Sequence, residues 1–473
     1  MGFGRRIGDT FRVPGRGFRR GITVLVVLLV AAATGSAVAL TAPSLVSDLG
    51  LSSRQQPDVQ LPAPVPALSP LAADAPLPTP AGLNGVLDPL ARSSALGEFA
   101  GVVLDPGSGD TLWQRSPERL LVPGSTGKLL TAAAALLSLN PTERLSTKVV
   151  AGPTPDTVIL VGGGDPTLTA LPEGQDSVYP RPARLDELVA EVRRAVPGQI
   201  RKVLIDTSRY TGPTLAQGWQ PADVPAGYIA PIVPLMLDGG REDPTLQDGP
   251  RVDRPALAAG RALAEELGAS TVDEGVAAPG ATVLGSVSSA PISDLVEHLM
   301  RTSDNVLAET LAREVAIVRG GEPSFTGAAA QVLAALAQAG FDPSGAVMAD
   351  GSGLSTADRV PARLLGALLA NAAAPAQGAL DTQFLRPILT GLPVAGGDGT
   401  LDSRFGTSNS ADGRGVVRAK TGTLTGVSSL AGVVTSDDGR LLVFALISNG
   451  ESPATVRPRL DAIAAALSRC GCR

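Results

Sequence analysis

Pro123-Gly124-Ser125-Thr126-Gly127-Lys128, followed by Leu129-Leu130-Thr131 and four alanines at 132–135, decides how the rest of the chain is read. Pro123 and Gly124 do not sit comfortably inside a helix. Residues 128–139 are rich in Ala and Leu, the strongest helix formers. The stretch therefore reads as a turn opening into an apolar helix, with Ser125 in the first turn and Lys128 one turn on. Residues three apart share a helix face, so hydroxyl and amine can meet. A serine beside a lysine neutralised by burial is a workable nucleophile and base. A phosphate-binding loop ending in Gly127-Lys128 would need Gly at 122 and Ser or Thr at 129; the chain has Val122 and Leu129. The plain alternative is a capping serine and a solvated lysine.

The totals narrow the classes. At 473 residues the chain is long enough for two or three folded units. Hydrophobic residues at 44% can fill real cores. The net charge is −6, and the first twenty residues hold six Arg and one Asp, so the remainder carries −6 − 5 = −11. An acidic body argues against nucleic acid as a partner. The single histidine, His298, excludes His-rich metal sites and reads as a surface or half-buried helix position. Both cysteines lie in Cys470-Gly471-Cys472, so the body has no free thiols, which suits an extracytoplasmic protein. That pair is open to four readings: a small ring, a bond to another chain, a metal site, or an inert tail at 469–473.

Residues 1–20 are basic and read as a cytoplasmic segment. The uncharged apolar run at 21–42 is long enough to span a bilayer, and the arginines before it place the N-terminus inside. The expected location is thus the cell membrane, single-pass, with the body outside. A cleaved signal peptide, cut near Ala37-Val38-Ala39, is the alternative and would release a secreted protein. Residues 43–86 read as a Pro/Ala-rich spacer, with eight prolines between 52 and 84.

Folding patterns start near 87. A short helix is expected at 88–95, strands at 99–104 and 111–115, and then the Ser125 helix. Residues 146–284 change character and read as an inserted α/β subdomain, with strands at 158–161 and 203–206 and helices at 185–196 and 255–267. Helices return at 292–300, 305–318, 328–339 and 362–372. The C-terminal part is β: a strand at 415–420 ahead of Thr421-Gly422-Thr423, then a hairpin of 428–435 and 441–448. An amphipathic helix at 456–467 closes the chain.

Three short motifs now stand in order: Ser125-x-x-Lys128, Ser303-Asp304-Asn305 and Lys420-Thr421-Gly422. Each alone is weak; the ordered trio is specific. The chain resembles the serine β-lactamase/transpeptidase superfamily. More closely, it resembles the D-alanyl-D-alanine carboxypeptidase/endopeptidase family of low-molecular-mass penicillin-binding proteins, which carries an insertion between the first two motifs. The closer resemblance rests on Gly164-Asp165-Pro166-Thr167-Leu168, Ile205-Asp206-Thr207-Ser208, Gly218-Trp219, Ala230-Pro231 and Ala308-Glu309-Thr310-Leu311. It rests also on Asp350-Gly351-Ser352-Gly353-Leu354-Ser355, Leu392-Pro393-Val394-Ala395-Gly396 and Asp398-Gly399-Thr400-Leu401. It covers about 87–468.

The resemblance implies an α/β (α+β) fold: a catalytic domain of 87–145 and 285–468, with a five-stranded antiparallel sheet flanked by helices, interrupted by the insert at 146–284. It implies a D,D-peptidase acting on peptidoglycan stem peptides and acylated by β-lactam antibiotics. No metal or organic cofactor is required. The chemistry agrees. Peptide cleavage through an acyl-enzyme needs a nucleophile (Ser125), a base (Lys128, its charge suppressed beside Lys420), a proton route (Ser303) and an oxyanion hole. Asn305 suits holding Lys128 and a substrate amide, while Asp304 points away. Lys420 and Thr421 offer a cation and a hydroxyl to a terminal carboxylate, and Gly422 lets substrate backbone approach. By resemblance the oxyanion donors are the N–H groups of Ser125 and Thr423, and Asp223 and Tyr228 line a pocket for the peptide side chain. An arginine common after the Asp350–Ser355 stretch in the family is Thr356 here, with Arg359 three residues later.

Two other functions compete. A class A β-lactamase needs a deacylating Glu in a Glu-x-x-Leu-Asn loop; the local candidate, Glu322-Pro323-Ser324, does not match. A catalytically silent peptidoglycan-binding module would not need every catalytic residue to be present.

Overall fold

Residues 75–375 and 383–472 are described by the computed structural model. The basic segment, the apolar 21–42 run and most of the spacer lie outside the described residues. Among the described residues no helix is long and apolar enough to cross a membrane.

The spacer expected to reach 86 gives way earlier, to helix α1 (Pro80–Ala91). Thr79 caps it, its hydroxyl accepting from Gly82 N at 3.1 Å. Pro80 occupies the first helical position, where a missing N–H is harmless. The helix expected at 88–95 is thus displaced towards the N-terminus.

The strands that follow are β1 (Glu98–Leu104), β2 (Thr111–Arg115) and the two-residue β3 (Leu120–Leu121). Then comes helix α2 (Lys128–Ser138). Next are β4 (Arg144–Ala151), β5 (Thr157–Val161), α3 (Leu185–Ala195), β6 (Lys202–Asp206), α4 (Pro255–Leu267), β7 (Thr271–Glu274) and β8 (Val283–Pro291). Helices α5 (Ile292–Thr302), α6 (Asn305–Val318) and α7 (Phe325–Gln338) lead to β9 (Val360–Pro361), which pairs with β3. Helix α8 (Ala362–Ala373) and the short α9 (Arg386–Thr390) precede β10 (Val417–Leu424), β11 (Val427–Thr435) and β12 (Leu441–Asn449). Helix α10 (Pro453–Ser468) ends the order.

The first sheet runs β10-β11-β12-β1-β2 and is antiparallel throughout. Both of its faces are covered, so β11 and β12 are buried almost end to end. Side chains alternate across a strand. Ala100, Val102 and Leu104 of β1 pack with α2, α5, α6 and α8 in one core. Phe99 and Val103 pack with Leu83 and Leu87 of α1 and Leu460, Ile463 and Leu467 of α10 in another. Helix α8 comes close to β1 because Gly366 has no side chain; a Cβ there would lie 2.7 Å from both Val102 and Leu104.

The second sheet runs β7-β6-β5-β4-β8. β5, β6 and β7 are parallel, with α3 and α4 as the crossovers, while β4 is antiparallel to β5 and β8. Its core is separate, built on Leu160, Leu188, Val203 and Leu263. The expected insert edges at 146 and 284 fall inside β4 and β8, two strands that pair with each other. The chain therefore enters and leaves the insert side by side.

The C-terminal tail is not inert. Cys470 and Cys472 are disulfide-bonded, closing the small ring that was one of the four readings. Cys470 is buried, and Cys472 O accepts from Thr79 N at 2.7 Å, so the tail holds the start of α1.

Candidate active site

Ser125 lies in a 3-10 turn, Gly124–Gly127, and α2 begins only at Lys128. The expectation of Ser125 inside the helix is corrected, but residues three apart also align in a 3-10 turn. Lys128 Nζ donates to Ser125 Oγ at 2.9 Å, to Ser352 O at 2.7 Å, and to Asn305 Oδ1. The turn is anchored to β11: Ser429 Oγ donates to Pro123 O at 2.5 Å, and Thr126 Oγ1 to the same oxygen at 2.8 Å.

Lys128 is completely buried. Helix α2 is apolar on every side, so it sits in the core and takes the lysine with it. Burial lowers the Lys128 amine to about 8, opposed by Asp350, Glu309, Asp304 and Asp358. Burial, and next to it the neighbouring Asp350, also raises the Glu309 and Asp358 carboxyls above the usual range. The Asp350 carboxylate accepts from Ser352 N, Gly353 N, Ser355 N and Trp219 Nε1, at 2.7–3.1 Å. Those bonds fix the loop that presents Ser352 O to Lys128.

Two residues separate α5 from α6. Ser303 takes a left-handed conformation (φ 62°, ψ 33°) and ends α5. Asp304 caps α6, accepting from Leu307 N at 2.9 Å. This sharp turn leaves Ser303 and Asn305 lining the same cleft as Ser125. Asn305 Nδ2 donates to Tyr228 O at 2.8 Å, which fixes its amide with the oxygen towards Lys128. The Asp304 carboxylate turns away and accepts from Tyr179 Oη at 2.9 Å and Arg241 Nη2 at 3.0 Å. Burial alone would raise that carboxyl, but Arg241 and then Arg251 hold it well below the usual range.

The strand expected to end at Lys420 runs on through the motif to Leu424. Lys420 is fully buried, and its Nζ donates to Thr421 O at 3.0 Å. Burial first, and Lys128 second, push its pKa well down. Thr421 Oγ1 donates to Thr400 Oγ1 at 2.8 Å. β10 passes close against the Ser125 turn. A Cβ on Gly422 would lie 3.1 Å from Ser125 N and 2.5 Å from Pro123 O, and one on Gly124 would lie 3.1 Å from Thr423 N. The N–H groups of Ser125 and Thr423 thus sit on two strips of backbone that only glycine lets approach.

These side chains border a cleft of about 960 Å³. Asp223 and Tyr228 line it, with Tyr228 61% exposed. Asp223 accepts from Gln220 N at 2.7 Å. Thr356 lines the cleft, whereas Arg359 turns its guanidinium to Thr356 O and Asp358 O. Glu322 accepts from Thr211 Oγ1 at 3.0 Å and is not in the cleft wall. His298 packs on Tyr179 at 5.3 Å, and burial lowers it to about 4, so it stays neutral. Among the described residues no three His, Cys, Asp or Glu side chains are placed to hold a metal ion.

Sequence reasoning missed three arginines of the cleft wall, Arg251, Arg404 and Arg457. Arg457 sits inside the amphipathic pattern of the closing helix, where a charged residue reads as solvent-facing. It missed Tyr179 and Arg241 as well, whose partner Asp304 lies 125 and 63 residues away.

The chain matches the D-Ala-D-Ala carboxypeptidase 3 (S13) family over residues 83–251 and 244–470. It is 44% identical over 428 residues to a carboxypeptidase of Mycobacterium tuberculosis, covering 88% of this chain and 91% of the relative. It is 43% identical over 424 residues to the carboxypeptidase DacB of Mycolicibacterium smegmatis, covering 87% and 90%. In fold it is similar to penicillin binding protein 4 (dacB) of Haemophilus influenzae, with a TM-score of 0.66 and 22% identity over 83% of this chain and 98% of that one.

Proposed function

The chain belongs to the D-Ala-D-Ala carboxypeptidase 3 (S13) family, a serine D,D-peptidase acting on peptidoglycan, and from that premise we propose how its residues divide the reaction. Ser125 Oγ attacks the carbonyl carbon of the penultimate D-Ala while Lys128 Nζ, neutral, takes the hydroxyl proton. The oxyanion forms between the N–H groups of Ser125 and Thr423. Ser303 relays that proton from Lys128 to the departing amine, terminal D-Ala leaves, an ester remains on Ser125, and Lys128 is neutral again. Water, deprotonated by Lys128, opens that ester and frees the shortened stem. The same acyl-enzyme cuts a D,D cross-link when the amine belongs to a neighbouring stem.

One observation carries this reading: a buried amine with a lowered pKa, 2.9 Å from the Ser125 hydroxyl and held by Asn305 and Ser352 O. Asn305 positions the base, Lys420 lies buried behind it, and Thr421 faces the substrate carboxylate. Asp223 and Tyr228 border the peptide side chain, where Asp223 suits a free ammonium. A β-lactam presents a strained acyl group to the same serine and stays attached. The 21–42 segment serves as a membrane anchor. The residues at 52–74, ahead of the part that packs on the body, would reach roughly 70 Å into the wall if extended at ~3.1 Å per residue.

The test is labelling of the protein with a fluorescent penicillin, followed by peptide mapping, with Ser125→Ala alongside. The expected result is a stable adduct on Ser125 that is absent from the variant. Fast turnover of the penicillin would favour a β-lactamase. No adduct on folded protein would favour a silent wall-binding module.

A further inference from the structure

Helix α10 packs behind the first sheet, yet its first turn reaches the cleft: Pro453 and Arg457, four residues apart on one face, both line it. Arg457 Nη2 donates to Thr423 Oγ1 at 2.9 Å. Its Nε is buried and has no hydrogen-bond partner among the described residues. The acid nearest in sequence, Asp461, is already taken by Arg404, whose Nε and Nη2 donate to its two oxygens at 3.0 and 2.6 Å. Among the described residues Arg457 is in no ion pair. A half-buried guanidinium with no ion pair among the described residues, and with Asp461 as the acid that acts on it from behind Arg404, therefore faces the cleft beside the strand end that carries Thr421 and Thr423.

The other cation there is poorly suited to hold an anion. Lys420 is fully buried, its amine is committed to Thr421 O, and burial and Lys128 both disfavour its charge. Arginine keeps its charge at neutral pH even when burial and a neighbouring cation lower its pKa, as burial and Arg404 do here. Its planar fork also matches a carboxylate in a way an ammonium does not.

We propose that Arg457 is the charged contact for the carboxylate on the leaving residue of the substrate, the one attached to the carbon that bears the departing amine. The proposal rests on the D,D-peptidase reading of the cleft and deepens it. The carboxylate sits between the Thr421 hydroxyl and the Arg457 guanidinium, with Thr423 Oγ1 fixing the arginine. The enzyme then selects leaving residues with a free acid and discriminates against those whose acid is an amide. That rule applies to terminal D-Ala and to cross-links alike.

The experiment compares kcat/KM for a stem-peptide analogue ending in D-Ala-D-Ala with its C-terminal carboxamide, in the wild-type chain, Arg457→Gln and Arg457→Lys. Penicillin labelling of Ser125 and the melting temperature are measured on each protein. The wild type is expected to prefer the free acid by about 10- to 100-fold, the size of one charge-assisted contact. Arg457→Gln should collapse that ratio towards one, and Arg457→Lys should restore part of it. A ratio unchanged in folded Arg457→Gln overturns the proposal, as does a wild type indifferent to the amide. A wild type that cleaves neither peptide and takes no label on Ser125 overturns the peptidase reading itself. If Arg457→Gln does not fold, the wild-type ratio and the Arg457→Lys ratio decide.

Discussion

The two five-stranded sheets contribute to the cleft in different ways. The first is antiparallel and packed on both faces, and its β10 carries Lys420–Thr423 directly against the Ser125 turn. None of the strands of the second sheet lines the cleft. The insert reaches it through irregular chain between β6 and α4, which supplies Gly218, Gln220, Asp223, Gly227, Tyr228 and Asp248. The same stretch sends Arg241 inward to Asp304. Reacting atoms thus sit on rigid elements, whereas the walls that meet substrate sit on loops held by a scaffold. Changes in the first body, the first sheet with the helices packed on its two faces, should remove chemistry, and changes in the insert should loosen the Ser303–Asn305 turn.

The largest effect is expected from Ser125→Ala. It leaves every packing contact of α2 in place and removes the nucleophile, so kcat/KM on a D-Ala-D-Ala peptide should fall by at least about 10³-fold. The melting temperature should barely move. Residual turnover near wild type would remove Ser125 from its role and with it the assignment of chemistry to the first body.

Arg241→Met tests the insert. Arg241 and Asp304 are buried together, with Tyr179 Oη bonded to both. Deleting one partner of a buried pair costs about 3–5 kcal/mol, because the other charge is left behind. Urea unfolding should show that loss, and activity should fall with it as the Ser303-Asp304-Asn305 turn relaxes. The sign with pH is fixed by Asp304. Its carboxyl titrates below the usual range in the folded chain, so the pair's stabilisation is full above about pH 4 and is lost on acidification. The wild type should lose its advantage over Arg241→Met as the pH falls. An advantage independent of pH would mean that the turn is held by packing and not by charge.

The base gives a third, smaller effect. Lys128 must be neutral to accept a proton, and its amine sits at about 8. Below that value log kcat/KM should fall with slope one, so the rate at pH 6 should be about a hundredfold under the plateau. Asp350, Glu309, Asp304 and Asp358 raise this pKa, while burial lowers it. A flat profile between pH 6 and 9 would mean that another group takes the proton.

Much of the first body was legible in the sequence because each motif there is polar inside an apolar setting. Ser125 and Lys128 stand at the entry to an Ala/Leu helix, Ser303 and Asp304 break two strongly periodic helices, and Lys420 interrupts a strand. The edges of the insert were less legible. β4 (Arg144–Ala151) mixes exposed Arg144 and Lys148 with buried Leu145, Thr147, Val149 and Val150 around a register shift, so strict alternation is lost. β8 shares those shifts and is rich in serine, a weak strand signal. Proline density hid the start of α1, where Pro80 marks a helix beginning and not a spacer. The arginines of the cleft wall carry no local signal, since what gives Arg457 a role is Thr423, 34 residues away.

The smallest effect is expected far from the cleft, where the C-terminal ring meets α1. The bond between Cys470 and Cys472 closes a loop of only three residues, for which loop-closure entropy gives at most about 2 kcal/mol. The ring also sets Cys472 O against Thr79 N and packs Cys470 into the core shared by α1 and α10. Reduction, or Cys472→Ser, should therefore lower the urea midpoint slightly and expose the start of α1 to protease. Turnover should stay the same, because the cleft and this ring lie on separate parts of the first body's packing and share no residue. A loss of turnover on reduction, with the fold intact, would show that α10 transmits strain from its C-terminal end to Arg457 at its first turn. The first body would then be less rigid than the contrast with the insert requires.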